Sequence, residues 1–178
     1  ELDVTLAKER TPDEYRVVLG NLLHQVVTLA DTVNAMLRLA QSEGGLDAAH
    51  TVRVEIDSLL EDVADFFAVL AEERGVELVT AAESKGAVRG DPTWLHQLFA
   101  NLIHNALKVS PRNGSVRVRF QAGNTGVDCE VADQGPGVAP EILPRLFTPC
   151  RSTQGGSGLG LAISKQLANQ LGASLELK

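Results

Sequence analysis

Asn101-Leu-Ile-His-Asn105-Ala-Leu-Lys108 is the stretch on which the fold turns, and two glycine-bearing stretches follow it in fixed order. These are Asp133-Gln-Gly135-Pro-Gly137 and Gly155-Gly-Ser-Gly158-Leu-Gly160-Leu161. Asn101, Asn105 and Lys108 stand at i, i+4 and i+7, which puts them on one face of one helix. Asn105 can offer an amide oxygen to a hard cation, and Lys108 can reach phosphate oxygens about a turn further on. Mg²⁺ takes few protein ligands and completes its shell with phosphates and water, so one asparagine beside a lysine is chemically sufficient. Asp133 ends a strand pattern, and its carboxylate can accept from an adenine amino group while the glycines let backbone approach the ring. Gly156-x-Gly158-x-Gly160 runs into a helix, whose terminal amides suit anionic phosphates. Each glycine stretch alone has an ordinary reading, since Asp-x-Gly turns are common. The order and the amide, carboxylate and glycine chemistry together describe a nucleotide pocket. It is not a P-loop, because no Gly-Lys-Ser/Thr follows. A dinucleotide fingerprint also fails, for want of a strand-loop-helix unit with an acid about 20 residues on.

The 178 residues allow one or two small domains, and 44% hydrophobic with 22% charged residues supports a packed core. Aromatic residues are only 4%, so Leu, Val, Ile and Ala must build that core. The net charge of −7 argues against a general nucleic-acid binder, which needs a basic footprint. The two cysteines, Cys129 and Cys150, make neither a disulfide framework nor a zinc site. No apolar run approaches the ~20 residues of a membrane span. The chain opens on Glu1 in a helix-compatible stretch and stops at Lys178 in a strand pattern, which reads as a piece of a longer protein.

Thr11-Pro12-Asp13-Glu14 reads as a helix start, with an N-cap, proline at the first position and acids in the first turn. Tyr15, Leu19, Leu22, Val26, Leu29, Val33, Met36 and Ala40 then alternate spacings of four and three, a heptad seam. Leu23, Ala30, Leu37 and Leu39 widen the stripe, which favours a helical hairpin in a four-helix bundle. Gly44-Gly45 marks the boundary between a helical region (residues 1–45) and a second domain (residues 46–178). There the period changes. A strand is expected over Thr51–Asp57, a helix capped by Ser58 over about 59–74, and strands over Val76–Ala82 and Ala87–Gly90. A helix from Asp91-Pro92 to about Val109 follows, then a hairpin of Ser115–Ala122 with Gly126–Ala132. A short helix over Pro140–Phe147, a glycine-rich loop over residues 148–157, a helix over Gly158–Leu171 and a last strand over Ala173–Leu177 complete the reading. The fold class is therefore α+β: a helical segment followed by an α/β sandwich with a mixed sheet.

These segments resemble the N, G1, F and G2 boxes of the ATP-binding domain of sensor histidine kinases, in the superfamily that includes gyrase, Hsp90 and MutL-type ATPases. Leu146-Phe147-Thr-Pro149 looks like the F box. Residues 11–45 are similar to the second helix of the kinases' dimerisation and phosphoacceptor hairpin, which ends in a Leu-x-x-Ala-x-x-Glu-x-Gly stretch like Leu37 to Gly45. The resemblance implies a Bergerat-type ATP-binding fold with ATP and Mg²⁺ as cofactors. Asn105 would be the metal ligand, with Asn101 and Lys108 near the phosphates. Asp133, with Gly135 and Gly137, would read adenine. Phe147, Gly156, Ser157, Gly158, Leu159, Gly160 and Leu161 would complete the pocket, residues 148–157 forming a short lid. It further implies a homodimer through residues 13–43, a response-regulator receiver domain as partner, no nucleic acid, and a cytoplasmic setting, with any membrane anchor in other parts of the parent protein.

Several departures bear on activity. Hydrolysing relatives carry a glutamate four residues before the metal asparagine. Asn101 stands there, and an amide is not a general base, which favours phosphoryl transfer over hydrolysis. Val109 replaces an aromatic residue, and Cys150 replaces an F-box phenylalanine. No His-Glu-x-x-x-Pro acceptor box occurs: the histidines are His24, His50, His96 and His104. The expectation is thus an ATP-binding catalytic fragment of a histidine kinase, unable to phosphorylate itself. The alternative is a degenerate kinase acting as a nucleotide-binding or dimerising regulatory module. A serine/threonine kinase of the same fold, as in anti-sigma factors, is disfavoured by the helix over residues 11–45.

Overall fold

The computed structural model describes Thr11 and residues 51–82, 85–123, 126–148 and 160–177. The heptad seam over residues 13–43 lies outside them. The chain divides into two units, Glu1–Gly44 and Gly45–Lys178, and all the elements below belong to the second.

The domain begins with strand β1 (Val52–Glu55), which passes directly into helix α1 (Ile56–Arg74). The expected cap at Ser58 is not made. Glu55 holds the N-cap position with an extended backbone and no side-chain cap, and Ser58 sits inside the first turn. The reason is tertiary. The amide of Ile56 donates to the Gly86 carbonyl at 3.0 Å, one step past Glu55 in the β1–β3 register, so this strand bond satisfies the first helical N–H and no side-chain cap is needed there. Gly75 closes α1 in the left-handed region (φ 64°), with its amide on the carbonyls of Ala71 and Glu72.

Strands β2 (Glu77–Ala82) and β3 (Ala87–Gly90) follow, then helix α2 (Pro92–Val109), whose bounds match the reading from Asp91-Pro92 to Val109. Asp91 is buried, and its carboxylate oxygen accepts from the amides of Thr93 (2.8 Å) and Trp94 (3.4 Å). It thus satisfies two of the donors that every helix start leaves open. The hairpin is β4 (Ser115–Ala122) with β5 (Val127–Ala132), and helix α3 (Gly160–Gln170) closes the described order.

Among the described residues β1 pairs β3 antiparallel, and a separate three-stranded sheet runs β2-β4-β5. Strand β4 is parallel to β2 and antiparallel to β5, so this sheet is mixed as expected. Along β4, Val116, Val118 and Phe120 are buried while Arg117, Arg119 and Gln121 are exposed, the period-2 signature of a one-sided sheet. The buried row meets Leu60, Val63 and Phe67 of α1 and Phe99, Ile103 and Leu107 of α2 in one core. A second cluster joins α2 to α3, with Leu98 packed on Ile163, Leu167 and Ala168.

Two further expectations fail. Over residues 140–147 there is only a 3₁₀ turn, Leu143–Arg145, within a run of turns. Pro144 has no N–H to donate to the Pro140 carbonyl, so an α-helix cannot close there. The bonds that form are all of the shorter span, such as Arg145 N to Ile142 O (2.9 Å) and Thr148 N to Arg145 O (3.0 Å). Residues 173–177 form no ladder with any described strand, although their alternation suggested one.

Replacing Asp91 by Ala is expected to lower stability by about 1–2 kcal/mol, the usual cost of a lost N-cap, and Asp91→Asn should retain most of it. Urea unfolding midpoints at unchanged slope check this. Equal midpoints for Asp91→Ala and the parent would contradict it.

Candidate nucleotide site

Helix α2 has three faces. One buries Phe99, Ile103, Ala106 and Leu107 in the main core, and one buries Leu98 against α3. Asn101, Asn105 and Lys108 are all half-buried on the helix. The side-chain nitrogen of Asn101 is buried and has no hydrogen-bond partner among the described residues. An orphaned buried amide costs about 1–3 kcal/mol unless an acceptor reaches it. His104 points elsewhere, its ring 6.1 Å from that of Phe67 on α1.

Gly160 opens α3 against Asn105. A Cβ at Gly160 would lie 3.4 Å from the Asn105 Nδ2 and 3.8 Å from its Oδ1. The glycine backbone and the asparagine amide therefore share one side of the site. Ser164 is fully buried and donates from its hydroxyl to the Gly160 carbonyl at 2.9 Å, tying down that helix start.

At the other end of α2, Val109 meets the acidic turn. The Asp133 Oδ1 accepts from the Gly135 amide at 2.8 Å, which leaves its second oxygen without a partner among the described residues. A Cβ at Gly135 would fall 2.8 Å from that same Oδ1, 2.8 Å from Val109 Cγ2 and 3.0 Å from the Val109 carbonyl oxygen. Gly137 has φ 72°, a conformation that glycine adopts freely. Gln134, which the sequence did not single out, accepts from the Ser115 amide at 3.0 Å and fastens the turn to the start of β4. The signal for it is weak: one amide side chain inside a glycine turn.

Phe147 is half-buried, and the Lys165 Nζ stands 5.4 Å from its ring centroid. Leu161 is half-buried on α3. Gly156, Ser157, Gly158 and Leu159 lie outside the described residues, as does Cys150. The structure thus brings Asn105 and Gly160 together, with Asn101 one helical turn before Asn105, and brings Asp133, Gly135 and Val109 together at the other end. Together they make a polar strip along α2.

The donor set fits a nucleotide with Mg²⁺. The unpartnered Asn101 amide is a donor suited to phosphate oxygen, the Asn105 Oδ1 is a hard oxygen, and the space a Cβ would fill at Gly135 keeps the acidic turn close. Among the described residues no three His, Cys, Asp or Glu side chains gather as an all-protein metal cage. Cys129 is exposed as a residue, yet desolvation around its thiol, with the Asp128 carboxylate adding, pushes its pKa from 9.0 up to about 11. It stays protonated at neutral pH and is not a nucleophile. No described helix is long and apolar enough to cross a membrane.

Residues 90–178 match the family described as histidine kinase-, DNA gyrase B-, and HSP90-like ATPase, and the chain belongs to it. Within that family its relatives are sensor histidine kinases, and the described domain is a catalytic ATPase domain of that kind. The chain is 36% identical over 174 residues to the sensor histidine kinase CusS of Escherichia coli (strain K12), covering 94% of this chain and 36% of CusS. It is 30% identical over 174 residues to the sensor-like histidine kinase SenX3 of Mycobacterium tuberculosis (strain ATCC 25618 / H37Rv), covering 93% of this chain and 42% of SenX3. The chain therefore spans well under half the length of these curated relatives. Among solved structures, full-length ShkA in complex with AMPPNP superposes with a TM-score of 0.72 at 31% identity, over 93% of this chain and 36% of ShkA. The mycobacterial sensor histidine kinase MprB gives 0.61 at 29% identity, over 68% of this chain and 80% of that one.

Gly135→Ala should shift the acidic turn, because side chains can yield to a new Cβ but the Val109 carbonyl is backbone. The expected cost is about 1–3 kcal/mol, as for other overpacked positions. Amide chemical shifts from Asp133 to Gly137 and at Val109 should move with it. An unchanged unfolding midpoint and unchanged shifts would contradict this close packing.

Proposed function

We propose that residues 46–178 bind ATP with Mg²⁺ and present its γ-phosphate to a histidine outside this chain, as the catalytic part of a two-component sensor kinase. The observation that carries the reading is the buried Asn101 amide, unpartnered among the described residues, one helical turn from Asn105, which itself abuts Gly160. It is a donor held out of water with no acceptor among the described residues, on the same helix face as a hard oxygen that meets a helix start. Asn101 and Lys108 would meet phosphate oxygens, and Asn105 would supply the one protein ligand to Mg²⁺. Backbone amides at the start of α3 would face anionic charge. The free oxygen of Asp133 would accept from the adenine amino group, with Gly135 and Gly137 admitting the ring. Phe147 and Leu161 would cover apolar parts of the ligand, with Gly156, Ser157, Gly158, Leu159 and Gly160 in the loop that enters α3.

The bound metal neutralises phosphate charge, and this chain's residues bind and orient. No described side chain at the site is placed to activate water, because Asn101 is an amide. That supports transfer to a protein acceptor over hydrolysis. His104 packs on Phe67 and His96 is exposed on α2, so neither faces the Asn105 end of the pocket. Residues 13–43 would form a two-fold dimer helix in the complete protein, residues 1–45 and 46–178 would be its two domains, and a receiver domain would take the phosphoryl group on the cytoplasmic side.

Titration calorimetry with and without Mg²⁺ tests the pocket. Asn105→Ala should lose the Mg²⁺-dependent part of ATP affinity, and Asp133→Ala should lose affinity with or without the metal. A charge-assisted hydrogen bond is worth about 1.5–3 kcal/mol, so each loss should be roughly tenfold or more. Parent-like binding by both variants would remove the assignment.

A further inference from the structure

We propose that the outer face of α1, centred on Phe66 and Val69, is a docking surface for a cationic amphipathic helix of another protein. This goes beyond the nucleotide reading, since α1 closes the core with its opposite face. Phe66 and Val69 are 68% and 67% exposed, and they are the two most exposed large apolar side chains among the described residues. They stand at i and i+3, so they form one patch. The Phe66 ring meets the buried Phe67 ring edge to face, with centroids 5.1 Å apart and planes at 90°. An aromatic side chain held in this way loses little freedom on binding, and such anchors dominate interface energies.

The charges around the patch decide which partner fits it. Asp62 and Asp65 lie one turn before it and Glu72 and Glu73 one turn after, all of them exposed. Asp62 is four residues from Phe66, Asp65 and Glu73 are each four from Val69, and Glu72 is three from Val69, so all four share the face. None of the four has an ion-pair partner among the described residues. Among the described residues of α1 the only cation is Arg74, and its guanidinium donates to the Leu107 carbonyl of α2 at 3.2 Å. The face is therefore two apolar side chains bracketed by four unneutralised carboxylates over about 16 Å of helix. A nucleic acid or an anionic lipid surface is repelled by that charge. A second copy docked face to face would set four carboxylates against four. Among the described residues no three acidic, His or Cys side chains gather to chelate a metal ion. A helix whose apolar side chains are flanked at both ends by Lys or Arg meets the apolar centre and both acidic pairs at once. Its charges would speed encounter and fix register, while the buried Phe66 ring would supply most of the affinity.

The test uses the whole 178-residue chain and a synthetic helical peptide of about 15 residues, with leucines on one face and lysines flanking them. The same peptide with glutamate for lysine, and a scrambled version, are the controls. In NMR titrations the lysine peptide should shift the amides of Asp62, Asp65, Phe66, Val69, Glu72 and Glu73 together, and neither control should. Phe66→Ala should weaken binding about tenfold or more, as at other aromatic anchors. Val69→Ser, which leaves the contact between Phe66 and Phe67 in place, should weaken it as well. The quadruple variant Asp62→Asn/Asp65→Asn/Glu72→Gln/Glu73→Gln should lose most of the salt dependence of binding. All six positions are exposed, so each variant should melt near the parent. Parent-like binding by Phe66→Ala and Val69→Ser overturns the proposal, because acidity alone would then account for the attraction. So do shifts scattered over other acidic surfaces, or a glutamate peptide that binds equally well. A concentration-dependent dimer of the parent chain that Phe66→Ala abolishes assigns the face to a second copy, and also overturns it.

Discussion

Helix α2 must bury two apolar faces and still keep a polar strip, and the rest of the domain is arranged around that requirement. The first face closes the core with α1 and the row Val116, Val118 and Phe120 of β4. The second gives α3 its place through Leu98 against Ile163 and Leu167. Because both neighbours are fixed by packing, the strip between them is fixed too. Asn105 then meets Gly160 at the start of α3, and Val109 meets Gly135 in the acidic turn. The Asp91 cap sets where this helix begins, so it also sets the phase of the strip along the helix.

The polar strip carries a cost that the fold tolerates. The Asn101 amide nitrogen is buried without a partner, in a domain whose other buried side chains are mostly apolar. Folding alone gives no reason to keep an orphaned donor there, since an apolar residue of that size would avoid the penalty. A ligand oxygen is the acceptor that the proposed function assigns to it. The same logic applies to Gly135, where the space for a side chain is taken up by Asp133 and Val109.

Much of this was legible in the sequence, and what was legible had a local cause. Asp91-Pro92 and Ser110-Pro111 bracket α2 with capping and stopping chemistry, so its bounds could be read directly. The alternation in Ser115–Ala122 gave the buried row of β4, and Asn101, Asn105 and Lys108 followed from helical spacing. The failures have non-local causes. Ser58 has cap chemistry, but the hydrogen bond from Ile56 to Gly86 starts the helix earlier. Residues 173–177 alternate like a strand, but a strand needs a neighbour, and the described sheets offer none. Pro144 is a local signal against a helix over 140–147, and it prevails over the helix-compatible residues around it. Gln134 with Ser115, and Lys165 with Phe147, join residues that no periodicity links, so only the folded chain reveals them. Val109 stands where an aromatic residue is expected, and its Cγ2 lies in the space that a Cβ at Gly135 would need.

The central claim is that the strip on α2, bounded by Gly160 and the acidic turn, is where a nucleotide sits. The most direct measurement follows the Asn101 side-chain amide by NMR during addition of Mg²⁺–ATP. The account predicts that its two protons shift and slow in exchange with solvent as they gain an acceptor, together with the amides of Gly135, Gly137 and Gly160. The amides of β1 and β3 should stay in place. An Asn101 amide that does not respond, with shifts centred instead on β1 and β3, would contradict the account.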